Sequence, residues 1–236
     1  MKRNWEGLVL KVLGGRDFRL TVTGRELLNP YYQRIDVAGG GLLDACDLHP
    51  TLWIRLWFDD HGRPHQRAYT VVDPDPATGQ FSLEFSLHDG CAARWAQRVE
   101  IGATIDATLQ GSAFVMPEPA PSKLYLVGDP AAVPAVNSLL AAAPATPATI
   151  WLEYVHEGER SLPLRTRPHH QVSWIPRRDQ GRHLVEAVTA EVPRDPDALY
   201  WVACEAASTR AIARHLRRGL GIDKQRVRAL GYWRAG

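Results

Sequence analysis

The chain has 236 residues, 45% of them hydrophobic and 23% charged, with a formal net charge of +2. That balance suits a globular protein of one large domain or two small ones and excludes a wholesale nucleic-acid binder. Three widely spaced cysteines, Cys46, Cys91 and Cys204, fit no disulfide framework and no zinc or iron–sulfur spacing. No stretch approaches the ~18 apolar residues of a membrane span. Glu6 and Lys11 interrupt the apolar run behind Lys2 and Arg3, so no signal peptide is expected and a reducing cytoplasm is the expected location.

The first half of the chain is β-rich. FRLTVTGREL (18–27), YYQRIDV (31–37), LWIRLWF (52–58), RAYTVVD (67–73) and FSLEFSL (81–87) carry β-branched and aromatic residues with partial alternation. The turn-forming DDHGRP (59–64) and DPDPATGQ (73–80) join strands, so an antiparallel barrel or sandwich is expected. CAARWAQRV (91–99) is helical in composition and breaks the meander. PEPAPSK (117–123), with three prolines, reads as a linker. Beyond it apolar strands alternate with helices: LYLVG (124–128), PAVNSLLAAA (134–143), ATIWLEYV (148–155), QVSWIPR (171–177), HLVEAVTAEV (183–192), LYWVACE (199–205) and ASTRAIARHLRRGL (207–220). That alternation predicts a parallel sheet covered on both faces. The expected division is a β-barrel domain over 1–118 and an α/β domain over 119–236.

Several positions suggest chemistry. In the first half, strand periodicity places Arg67 and Tyr69 on one face and Ala68 and Thr70 on the other, so a charge and a flat ring are presented together. HDGCAARWA (88–96) runs from a strand end through a glycine turn into a helix, which offers backbone N–H groups to a phosphate. In the second half, Gly128 and Asp129 end the first apolar strand, and Glu205 follows the last. Strand ends of a parallel sheet are where ligands bind in this architecture. Arg210, Arg214, Arg217 and Arg218 share one helix face, read as solvated or as a funnel for an anion. From Arg210 to the end there are eight Lys/Arg and one acid, Asp223. Asp59, Asp60, His61 and His65 read as a plain hairpin rather than a metal site, and His169–His170 as loop. Eight tryptophans serve core packing or stacking on a planar ligand.

Arg-x-Tyr-Thr at 67–70, His88 followed by Trp95-Ala96, the strand ending in Gly128-Asp129, and YWVACEA (200–206) with GYWRAG (231–236) together resemble the siderophore-interacting protein family. These are FAD-containing ferric-siderophore reductases of the ferredoxin-reductase-like superfamily, and the likeness covers nearly the whole chain. It implies an antiparallel six-stranded FAD-binding barrel followed by a parallel-sheet nicotinamide-type domain. It also implies that Arg67, Ala68, Tyr69 and Thr70 bind FAD, with Arg67 on a phosphate, Tyr69 on the isoalloxazine and Thr70 near its reactive nitrogen. His88, Gly90, Ala92 and Trp95 would cradle the pyrophosphate and adenine side. Gly128, Asp129, Glu205 and Trp233 fall at cofactor-binding positions, and no protein acid or base is required for catalysis.

Arg234, with Arg55 behind it, is expected to attract an anionic ferric chelate, and Arg177 or Arg178 to meet a cofactor phosphate. The implied donor is NAD(P)H or a ferredoxin, and the implied state is a monomer. Other readings are an electron-transfer reductase with a different acceptor and a non-catalytic ferric-siderophore binder. The sequence departs from the family pattern at Val72 (arginine), Cys91 (proline), Gln110-Gly111 (Gly-Pro), Pro130-Ala131 (Glu-Thr) and Cys204 (glycine). Val72 is read as a weaker phosphate grip, and Cys204 as a narrower nicotinamide space.

Overall fold

A computed structural model describes residues 15–60 and 62–235. Trp5, the basic N-terminus read above and His61 lie outside the described residues. The chain forms two compact units that divide between Phe114 and Val115.

Among the described residues the first unit holds seven strands, β1 (Arg16–Asn29), β2 (Tyr32–Ala38), β3 (Trp53–Asp60), β4 (Arg63–Thr70), β5 (Val72–Asp75), β6 (Gln80–Ser86) and β7 (Thr104–Leu109), with one α-helix, α1 (Cys91–Arg98). They form one antiparallel sheet in the order β4-β3-β7-β1-β2-β6-β5. The expectation of six strands is corrected to seven. RAYTVVD splits because Thr70 pairs with Trp53 of β3, whereas Val72 pairs with Ser82 of β6 and Asp73 turns the chain at φ 47°. β4 and β5 are therefore opposite edges of the sheet joined only through Val71, which requires the sheet to curl. Leu20, Ile35, Ile54, Leu56, Leu83, Phe85 and Ala107 fill the inside of the curl with no exposed surface. Each large apolar side chain so buried contributes about 1.5–3 kcal/mol. Helix α1 lays Ala92 and Ala96 against this core.

The second unit is a five-stranded sheet with every pairing parallel, ordered β10-β9-β8-β11-β12. Its elements are β8 (Leu124–Gly128), α2 (Val133–Ala142), β9 (Ala148–Tyr154), β10 (His170–Pro176), α3 (Arg182–Glu191), β11 (Leu199–Ala203), α4 (Ala206–Arg214) and β12 (Val227–Ala229). β8 and β11 are buried at all five positions each, which explains their unbroken apolar sequences. Helix α4 runs to Arg214 and continues without a break as a π-helix, His215–Gly219, so the helix read over 207–220 is helical to within one residue of Leu220. The order runs from β8 outward to β10 on one side and from β11 to β12 on the other. The direction therefore reverses between β8 and β11, the place beyond whose carboxyl ends sheets of this kind bind ligands.

Gly40, between β2 and β3, has φ 57°, and a Cβ there would come 2.4 Å from the Arg19 carbonyl oxygen. Gly40→Ala is expected to lose on the order of 2 kcal/mol of stability, read as a lower midpoint of urea unfolding with an unchanged slope. A midpoint within error of the parent would show that the β1 backbone yields at no cost.

Candidate functional site

In the first unit, the pairing of β4 with β3 sets where its side chains point. Arg67 lies opposite Leu56 and Tyr69 opposite Ile54, both wholly buried, so Arg67 and Tyr69 share the inner face as the periodicity predicts. The Tyr69 ring packs on Phe85 at 4.2 Å between centroids and on Phe58 at 6.2 Å. Trp95 of α1 packs on the same two rings at 5.7 and 5.6 Å. This cluster ties the Arg67–Thr70 strand to the His88–Trp95 segment. Burial pushes the Tyr69 phenol well above its ordinary range, against the pull of Arg67, so it remains a neutral ring. Arg67 is exposed and donates to its neighbour's carbonyl, Gln66 O, at 2.9 Å. Ala68 is exposed and Thr70 buried.

Gly90 is the N-cap of α1 and brings no side chain to it, so the first N–H groups of the helix have no side-chain cap. A Cβ on Gly90 would come 2.6 Å from the exposed His88 ring, which would have to swing aside. His88 is exposed, while Ala92 is buried. Beside α1 lies a cavity of about 500 Å³ lined by Asp59, Asp60, Cys91, Arg94, Trp95 and Arg98, among others. Arg67, Tyr69 and Thr70 do not line it. An open helix N-terminus, an exposed guanidinium and a packed aromatic wall fit a flavin dinucleotide. Val72 is buried, so no cation stands at that position. Arg55 lies with its guanidinium 4.9 Å over the Trp53 ring.

In the second unit the strand ends converge differently. Gly128 ends β8, where a Cβ would come 2.6 Å from Ala132 Cβ, so glycine lets the following turn pack close. Asp129 Oδ1 accepts the Ala131 N–H at 3.0 Å and Oδ2 accepts the Trp233 indole N–H at 2.6 Å. Glu205 Oε2 accepts the N–H groups of Ala207 and Ser208, capping α4. The backbone of Trp233 bridges to Glu205, and its carbonyl accepts the Ala206 N–H at 2.9 Å. Glu153, next to last in β9, is 2% exposed and is ion-paired through Oε2 with Arg177. The Arg177 guanidinium also lies 4.9 Å over the Trp233 ring.

Gly128, Asp129, Glu205 and Trp233, read from the sequence as separate cofactor positions, are thus brought together. Glu153 and Arg177 complete the group and were not read into it. The only signal for Glu153 was an acid inside an apolar strand. Arg177 is engaged by Glu153 and Trp233; Arg178 and Arg234 are exposed. The arginines of α4 and the turn after it, Arg210, Arg214, Arg217 and Arg218, are exposed as well.

Burial, opposed by the Trp233 hydrogen bond and reinforced by Glu153, pushes Asp129 up to about 7. Burial also raises Glu153, against Arg177 and with help from Glu205. Cys204 is wholly buried, and burial followed by the charge of Asp129 pushes its thiol far up, so it is unreactive. Among the described residues no three His, Cys, Asp or Glu side chains converge as a metal-ligand set.

The sequence model described as the siderophore-interacting FAD-binding domain matches residues 21–110, and that of the siderophore-interacting protein matches residues 121–236. The mycobactin import ATP-binding/permease protein IrtA of Mycobacterium tuberculosis is 34% identical over the whole chain, which spans only 28% of that relative's length. The NADPH-dependent ferric-chelate reductase of Escherichia coli is 26% identical, with 92% of each protein covered. The solved structure of a siderophore-interacting protein from Acinetobacter baumannii superposes with a TM-score of 0.81 at 23% identity, covering 94% of this chain and 92% of that one. Among the described residues no helix is long and apolar enough to cross a membrane.

The raised Asp129 carboxyl makes a stability prediction. The folded chain keeps a proton up to about pH 7 that an ordinary aspartate loses near 3.8. Stability contributed by this group is therefore lost as pH rises from about 4 to about 7. The loss is at most about 4 kcal/mol, at about 1.4 kcal/mol per pH unit. Asp129→Asn, which keeps an acceptor for Trp233, is expected to flatten the fall in melting temperature between pH 5 and pH 8. Identical slopes in parent and variant would show that Asp129 ionises in the ordinary range.

Proposed function

Because this chain belongs to the siderophore-interacting protein family, we propose that it is an FAD-dependent reductase of ferric siderophores that takes electrons from NAD(P)H. The observation that carries the reading is the joining of Arg67–Thr70 to the open N-terminus of α1 through Tyr69, Phe85, Phe58 and Trp95. All of these lie inside the stretch matched by the FAD-binding domain. Bound FAD would supply the redox chemistry, accepting a hydride and releasing electrons singly.

The residues of the chain bind and orient. Arg67 would offer its exposed guanidinium to a phosphate, and the uncapped N–H groups at the start of α1 would offer a second anion contact. Tyr69, neutral and braced by Phe85, gives a flat wall for the isoalloxazine. Thr70 supplies a hydroxyl near the reactive nitrogen. In the second unit Asp129, Glu205 and Trp233 line the strand ends proposed for the donor's nicotinamide. Arg55 and Arg234 are the proposed attractants for anionic ferric chelates. Oxygen ligands hold Fe(II) less tightly than Fe(III), so one-electron reduction frees the metal without any acid or base from the protein. The donor reading draws on the NADPH-dependent relative. Import belongs to the longer IrtA protein by name, and for this chain we propose only the reductive step.

The purified protein is expected to be yellow and to bleach under argon on adding NADH or NADPH, with the colour returning on adding a ferric siderophore. A colourless protein that binds ferric siderophore would replace the reductase reading with a carrier. Bleaching by reduced ferredoxin alone would replace the donor. Arg67→Ala is expected to weaken FAD binding about 10- to 100-fold, the loss of one charge-assisted phosphate contact, measured by equilibrium dialysis. Retention equal to that of the parent would remove Arg67 from the phosphate.

A further inference from the structure

The charge of the chain is unevenly placed. From Arg210 to the end there are eight Lys/Arg and one acid, whereas residues 1–209 carry twenty Lys/Arg and twenty-five Asp/Glu. An acidic body therefore ends in a basic segment. Helix α4 and the π-helix that continues it turn Ile212, Ala213 and Leu216 inward, where Ile212 and Leu216 join the core with Val202 and Val227. The opposite side is a ridge of Arg210, Arg214, Arg217 and Arg218, all exposed. It spans roughly 12 Å of helix. No large apolar side chain stands among these arginines; Ala207, Ala211 and Gly219 lie beside them.

The ridge is fixed without being neutralised. Arg217 Nη2 donates to the Val227 carbonyl at 3.0 Å. Arg194, exposed beyond α3, donates to the Leu220 carbonyl at 3.1 Å and so joins the end of the ridge. A carbonyl holds a guanidinium in place but does not cancel its charge. The acids nearby are engaged elsewhere. On α3, which shares the core with α4, Glu186 pairs with Arg182 at 3.1 Å, and Glu191 accepts the Trp151 indole N–H at 2.8 Å. Asp179 also pairs with Arg182, at 3.4 Å. Asp223 caps the turn before β12 by accepting the Gln225 N–H. Among the described residues no acid pairs with Arg210, Arg214, Arg217 or Arg218. Like charges four residues apart destabilise an exposed helix, and Arg210/Arg214 and Arg214/Arg218 are two such pairs.

We propose that this ridge is a docking surface for a layer of anionic lipid headgroups, which holds the second unit against a membrane without entering it. Among the described residues no helix is long and apolar enough to cross one. A cluster of four or more cations on one helix face is enough to attract anionic lipid. A protein partner fits less well. The centre of a protein interface is apolar or aromatic and poor in charge, and the ridge offers only guanidinium groups and small residues. A headgroup layer needs no matching shape and meets the ridge with negative charge along its whole length. A second copy docked ridge to ridge would be repelled. Charge placement alone supports this, whether or not flavin is bound. Under the reductase reading, the ridge would keep the reaction beside a membrane.

The test mixes the full chain with vesicles of phosphatidylcholine alone or with about 30% phosphatidylglycerol and measures the bound fraction by sedimentation. Binding to the anionic vesicles is expected to exceed binding to the neutral ones at least about tenfold at roughly 0.05 M salt, and to vanish near roughly 0.5 M. Arg214→Ala combined with Arg218→Ala is expected to weaken it about 30-fold, at about fivefold per cation removed. Arg63→Ala combined with Arg160→Ala removes the same net charge from exposed places off the ridge. That pair is expected to change binding by less than about threefold. All four side chains are exposed, so both double variants are expected to fold, which circular dichroism checks. Equal binding to neutral and anionic vesicles, binding to neither, or equal losses in the two double variants would overturn the proposal. Tighter binding to soluble polyglutamate than to the anionic vesicles would replace the lipid layer with an acidic protein.

Discussion

A carboxyl group buried at the end of a parallel strand must find donors within the protein, and Asp129 finds one 104 residues further along the chain, on the Trp233 indole. The remaining features of the second unit's strand ends follow from that contact. It holds the C-terminal segment beside β11, where the Leu230 and Tyr232 N–H groups bond to Val202 and Cys204 carbonyls at 2.9 Å each. It sets the indole against the Arg177 guanidinium, which in turn is held by Glu153. Three acids, one base and one aromatic ring are thus fixed with respect to each other by backbone and side-chain bonds together, so the charge at these strand ends is preorganised rather than assembled on binding.

The first unit solves a comparable problem with rings instead of charges. A curled sheet whose edge strands meet only through Val71 has no ladder hydrogen bonds to hold β4 in place on its outer side. The packing of Tyr69 against Phe85 and Phe58, and of Trp95 against the same pair, supplies that restraint. Arg67 then stands two residues from a fixed ring on a strand whose register with β3 leaves no freedom to slip, because a shift by one residue would turn Tyr69 out of the core.

The elements with strong apolar runs were legible from sequence: β8, β9 and β11 and the helices between them, and β1, β2, β3 and β6. β7 was not read because Thr104-Ile105-Asp106-Ala107-Thr108-Leu109 alternates with small residues inside the fold, and β12 was not because three residues give no period. The break at Val71 was hidden because RAYTVVD has uniform β propensity and only partner choice divides it. At the site, the residues that end strands could be placed, since chain position after an apolar run tells where they emerge. Glu153 could not, because an acid one residue before the end of a buried strand looks like an exposed terminus until the ion pair with Arg177 is seen.

Helix N-termini serve opposite purposes in the two units, and the difference lies in single residues. Gly90 leaves the start of α1 without a side-chain acceptor, so its N–H groups and partial positive charge face outward. Glu205 fills the corresponding place ahead of α4 with its own negative charge, and Asp129 does so for the short 3-10 turn, Pro130–Ala132, that leads into α2. The first arrangement attracts an anion and the second repels one. Under the proposed function, the open helix is where the phosphates of a flavin dinucleotide would be held. An acid at Gly90 or a glycine at Glu205 would exchange these roles locally without altering the sheet that carries either residue, because both positions lie just outside the strands whose packing determines the fold.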